Sequence, residues 1–178
     1  MNLDDAVPFA VVLPTLLAAH QVADFWIQTD WQARTKGQRD AMGRLACAAH
    51  VATYTLTTIA MVSTVWLLFN LPISPAGFLV GQAVSAVTHY WADRRFTLQW
   101  LCERLGKSNF YRLGAPRAVE AWLGDLGSHE IKAVNLCRVG QNYPVPWDNP
   151  SLGTGAYALD QSWHWFWLFI AALLTVLL

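Results

Sequence analysis

The stretch AYALDQSWHWFWLFIAALLTVLL (residues 156–178) decides the fold. Its 23 residues contain no lysine, arginine or glutamate, and a helix needs about 20 apolar residues to cross a bilayer. A helix in a soluble bundle carries charge along its outer face, and this one offers only Asp160, near its start. Working outward, three more stretches are long and apolar enough: 7–28, 45–70 and 76–93, with the quoted one counted from 157 to 178. The sequence therefore predicts an all-α, polytopic membrane protein. We expect a four-transmembrane-helix bundle forming a single membrane domain over 1–178, with a long loop at 94–156 between helices three and four.

Composition agrees. Hydrophobic residues make up 54% and charged residues 13%, about half the charged share of a soluble protein. Ten tryptophans fit a chain with two membrane interfaces. A net charge of zero gives no reason to expect nucleic acid as a partner; the expected partner is the lipid bilayer. Cys47, Cys102 and Cys137 form no CxxC pair and read as reduced thiols. The acidic start, MNLDD, argues against a secretory signal peptide.

Polar runs at 29–44 and 94–155 and the turn NLPISP at 70–75 separate the spans. Pro14 is expected to kink the first helix. Gly77 and Gly81 form a small-xxx-small face suited to close helix contact, including contact with a second copy of the chain. Arg34, Lys36, Arg39 and Arg44 lie in the first connection, and the other eight of the twelve basic residues lie between Arg94 and Arg138. Basic loops stay in the cytoplasm, so both termini are expected outside the cytoplasmic face.

Against this apolar background the ionisable residues stand out, because burying charge in hydrocarbon costs several kcal/mol (about 3 or more). His20 and Asp24 are four apart late in the first helix, followed by Gln28. His50 comes early in the second, with Tyr54 and Thr57 on its face. His89 and Asp93 come late in the third, above Gln82 and Ser85. Asp160 and His164 come early in the fourth, beside Gln161. In an alternating topology, late positions of odd helices and early positions of even ones share one side. The order HxxxD becomes DxxxH in the fourth helix, which keeps imidazole toward the membrane interior and carboxylate toward the cytoplasm.

Imidazole and carboxylate on i,i+4 positions of packed helices are how bundles build metal sites. Donors of N and O without thiolate suit zinc first, with manganese or iron as alternatives. The expected ligands are His20, Asp24, His50, His89, Asp93, Asp160 and His164. That exceeds the four of a closed zinc site, so either two ions bind, or one binds and the surplus supports it. Asp24 and Asp93 are the candidate proton acceptors in catalysis; Gln28, Gln161, Tyr54 and Gln82 are candidates for orienting ligands or substrate. The alternative is a His–Asp hydrogen-bond network that sets helix register. His129 reads as an ordinary exposed histidine, and Trp163, Trp165 and Trp167 as lipid or interface packing. In the long loop, 116–127 can form an amphipathic surface helix. Gly153 and Gly155 serve either a close approach to a ligand or a flexible lead into the fourth helix.

The series HxxxDFxxQ with a downstream lysine (His20, Asp24, Phe25, Gln28, Lys36), His50, HxxxD (His89, Asp93) and LDQxxH (Leu159, Asp160, Gln161, His164) resembles the family catalogued as domain of unknown function 3307. These are small membrane proteins of bacteria and their phages. The segment GTGAYALDQSWH resembles the actinobacterial and actinophage branch. The resemblance implies a multi-pass protein of the bacterial inner membrane and the same choice of residues; it supplies no activity. Three functions are compatible with the residues. The first is a membrane-embedded metal-dependent hydrolase acting on a lipid or membrane-associated substrate. The others are a non-catalytic phage or bacterial membrane protein with a structural polar or metal core, and a transporter of divalent cations or protons.

Overall fold

The computed structural model describes residues 3–113 and 155–178, and every regular element among them is helical. His129, Cys137, the 116–127 segment and Gly153 lie outside the described residues. The chain divides into two compact units, one of Met1–Leu105 with Asp160–Leu178, the other Gly106–Leu159. The first holds α1 (Leu3–Val22), a π-helical turn (Ala23–Ile27), α2 (Asp30–Thr35), α3 (Ala41–Leu68), α4 (Pro75–Asp93) and α5 (Phe96–Arg104). The second holds α6 (Ser108–Tyr111) and the first residues of α7 (Gly155–Leu177), which runs on into the first.

Local chemistry sets the boundaries. Thr29 and Gln32 form a reciprocal capping box at the start of α2, so the polar run 29–44 is not all connection. Asp40 accepts from Gly43 N at 2.8 Å and starts α3 at Ala41, four residues before the expected span. Ser74 accepts from Gly77 N at 2.9 Å, with Pro75 in the first turn of α4. The expected loop after the third span opens instead with α5 and α6. In the second unit, Gly155 N–H donates to Leu113 O at 2.8 Å, and a Cβ at Gly155 would collide with the Phe110 carbonyl. Its missing side chain thus serves a backbone contact within the chain.

Two helices among the described residues are long and apolar enough to cross a membrane: Asp5–Ile27 and Ala41–Leu68. Four were expected. α4 and α7 fall short because they carry the polar residues themselves: Gln82, Ser85, Thr88, His89 and Asp93 on one, Asp160, Gln161 and His164 on the other.

The first unit changes character along its helices. Val12, Leu16, Val62, Leu71, Ile73, Leu168, Ala171 and Ala172 make an apolar core at the end near the 70–75 turn. One turn after another from there, α3 presents buried Thr58, Tyr54 and His50, while α4 presents Gln82, Ser85 and His89. Thr58 Oγ1 donates to Gln82 Oε1 at 2.7 Å, and the Tyr54 and Ser85 hydroxyls pair at 2.6 Å. The outer faces are apolar: Leu56, Leu79, Val87 and Phe166 are all more than half exposed.

The Gly77/Gly81 face is covered from within. A Cβ at Gly77 would lie 2.7 Å from Thr175 O, and one at Gly81 would lie 2.8 Å from Ala171 O. The small face therefore seats α7 of the same chain rather than offering itself to a second copy. Gly81→Val is expected to lower stability by about 1–3 kcal/mol, since backbone carbonyls cannot rotate away as a side chain would. Thermal unfolding in detergent checks this; a melting temperature equal to that of the parent protein would contradict the packing.

Candidate metal centre

α1 gives way to π winding just where the first pair sits. Gln28 N–H donates to Ala23 O, five residues back, at 2.9 Å. Single-turn π segments often mark functional sites, and this one carries Asp24. Its carboxylate reaches His20 with Oδ2 (3.4 Å to Nε2) while Oδ1 faces α3 and α4.

Four atoms converge there. His50 Nε2 and His89 Nε2 are 3.0 Å apart. Asp24 Oδ1 lies 3.3 Å from the first and 3.5 Å from the second. Asp93 Oδ2 lies 3.2 Å from each. Neighbouring donors on one ion at 2.0–2.1 Å are about 2.9–3.4 Å apart, for angles between octahedral and tetrahedral. Both inward carboxylate oxygens lack a hydrogen-bond partner, as do both ring nitrogens of His20, the Nδ1 atoms of His50 and His89, and Nε2 of His164. Unpaired buried polar atoms are costly, and a metal ion, if bound, would satisfy the inward ones together. These buried His and Asp groups can hold a metal ion.

The remaining ring nitrogens lie beside them. His20, His89 and His164 offer one nitrogen each, all within 4.8 Å of one another, and Asp93, Asp160 and His164 form a further group by the same measure. All seven expected ligands are thus brought together. Of the four supporting positions, Tyr54 stacks on the His89 ring at 3.9 Å between centroids. Gln161 accepts from Gln21 Nε2 and donates to Asp160 Oδ2, both at 3.4 Å. Gln82 bonds Thr58 one layer away. Gln28 closes the π turn through its backbone, with its Nε2 buried and without a partner.

Lys36 entered the sequence reading only as a basic loop residue and part of a motif, yet its Nζ lies 2.9 Å from Asp93 Oδ1 and the side chain is buried. Arg94 fixes the approach: its guanidinium donates to Lys36 O at 2.9 Å and to Gln38 O. The signal available in sequence was the adjacency of Asp93 and Arg94 at a helix end, facing a short basic connection.

Cys47 and Cys102 are free and buried; burial pushes the Cys102 thiol above its ordinary range, which keeps it protonated and inert. Beside the histidines, a cavity between Tyr54, Ser85, His89 and His164 measures about 10 Å³, roughly the least that admits one water. Asp160, with its side chain 30% exposed, is the most accessible carboxylate of the group. Comparison with protein-family models, curated proteins and solved structures gave no match, so the chemistry rests on the geometry of this chain alone.

Proposed function

We propose that this chain is a four-span protein of the bacterial inner membrane, bacterial or phage in origin, that holds zinc between His50, His89, Asp24 and Asp93. The ion serves hydrolysis of a lipid or membrane-associated substrate at the cytoplasmic face. One observation carries the metal reading: two imidazole nitrogens and two unpartnered carboxylate oxygens meet at 3.0–3.5 Å. Manganese or iron would suit the same donors.

Four spans, rather than two, are supported by the reversed distribution of polarity. His20, His50, His89 and His164 are buried, while Leu79 and Val87 on α4 and Trp165, Phe166 and Phe169 on α7 face outward. Water would favour the opposite arrangement. The one-sided placement of lysine and arginine supports termini outside the cytoplasm.

Hydrolysis is supported by the chemistry a bound zinc offers, which brings the pKa of its water to about 7. Asp24 and Asp93 were the expected proton acceptors, but both turn an oxygen onto the histidines as ligands do. Asp160 is the better acceptor, being close to His164 and partly open. The protein purified in detergent is expected to contain stoichiometric zinc by elemental analysis and to release product from lipid esters, amides or phosphates in mixed micelles. Asp160→Asn should abolish turnover and keep the metal. Absence of stoichiometric metal would overturn the reading.

The closed surroundings of His20 and His50, both without exposure, favour a second reading, in which the metal is purely structural. Stoichiometric zinc with no hydrolysis of any lipid class would select it.

A further inference from the structure

His20 and His164 have no task in a single-ion centre built from His50, His89, Asp24 and Asp93. His20 is fully buried, and neither ring nitrogen has a hydrogen-bond partner. His164 is nearly as buried, and its Nδ1 donates to the Asp160 carbonyl at 2.8 Å. A carbonyl can only accept, so the proton is on Nδ1 and the lone pair is on Nε2. That Nε2 is buried and unpartnered. The two rings lie 4.8 Å apart between centroids. A metal-ligating histidine whose other nitrogen donates to a backbone carbonyl is the usual arrangement.

Asp24 joins this pair to the first centre. Oδ1 faces His50 and His89, and Oδ2 lies 3.4 Å from His20 Nε2. A carboxylate that turns one oxygen to each of two donor sets is a bridge. Two ions in hydrolytic sites sit about 3.5–4 Å apart, a spacing one carboxylate can span.

We infer that the cluster holds two divalent ions, the second bound by His20, His164 and Asp24 Oδ2, with Asp24 bridging. This rests on the metal reading above and goes beyond it in assigning the second position. The two coordination spheres would differ: the first has two nitrogens and two carboxylates, the second two nitrogens and one carboxylate.

Manganese loading of the detergent-purified protein tests it, by elemental stoichiometry and by electron paramagnetic resonance. The parent protein is expected to bind two equivalents and give an exchange-coupled spectrum. His164→Ala and His20→Ala should each bind one equivalent and give the six-line signal of isolated manganese. One equivalent with an uncoupled signal in the parent protein would overturn the second position and leave the first. No bound manganese or zinc would overturn both. Two coupled equivalents persisting in both variants would overturn the ligand assignment. Should either variant fail to fold, the parent spectrum alone decides.

Discussion

Asp93→Ala is expected to lower unfolding free energy by about 3–5 kcal/mol, the cost of leaving a buried charge unpaired. Adding Lys36→Met should restore most of it. Lys36 Nζ and Asp93 Oδ1 are 2.9 Å apart, with side chains 10% and 4% exposed. Without the carboxylate, the ammonium would ordinarily swing into water. It is restrained here because Arg94 holds the carbonyls of Lys36 and Gln38, tying down the backbone at the residue and just after it. Replacing both charges with apolar groups removes that difficulty, and such replacements are often neutral or stabilising. Measured with chelator present, so that loss of a metal ligand does not enter, a double-mutant cycle isolates the pair. A single-variant cost under about 1 kcal/mol would mean the ammonium is solvated, as at a surface pair.

The histidines and aspartates were legible because helical periodicity and chain direction are enough to place them. Positions four apart share a face, and the reversal from HxxxD to DxxxH keeps donor types at matching depths. Lys36 was not legible for the same reason: it lies beyond the spans, where periodicity carries no information. Its position depends on a capping box at Thr29 and on Arg94, fifty-eight residues away in sequence. The π turn was invisible as well. A reading at 3.6 residues per turn assumes even winding, and the extra residue between Ala23 and Gln28 is a tertiary outcome. Gly77 and Gly81 were correctly read as a close-contact face, but residue type cannot say whether the helix seated there comes from the same chain. Four spans were expected and two helices among the described residues are apolar enough to cross a membrane. The His, Asp and Gln residues that α4 and α7 bring to the buried cluster are those that lower their hydropathy.

His89→Asn is expected to remove the ion held between His50, His89, Asp24 and Asp93. Its Nε2 faces His50 at 3.0 Å, Asp93 at 3.2 Å and Asp24 at 3.5 Å, and its ring packs on Tyr54 and against His164 and His20. Loss of a residue that merely orients a ligand costs about 10–100-fold in affinity, so loss of this ligand should exceed about 100-fold. The effect on stability follows by mass action. An ion at a thousandfold excess over its Kd stabilises the folded state by about 4 kcal/mol, and the variant forfeits that increment. Zinc should therefore raise the melting temperature of the parent protein by more than that of His89→Asn. Ser85→Ala is the contrast: it deprives the Tyr54 hydroxyl of its 2.6 Å partner but touches no ligand, so its zinc affinity should stay within about tenfold of the parent's, the low end of the range for an orienting residue. If the two variants lost affinity equally, the four donor atoms would not be the binding site, and the cluster would be a hydrogen-bonded core whose integrity, not its ligand set, governs the metal.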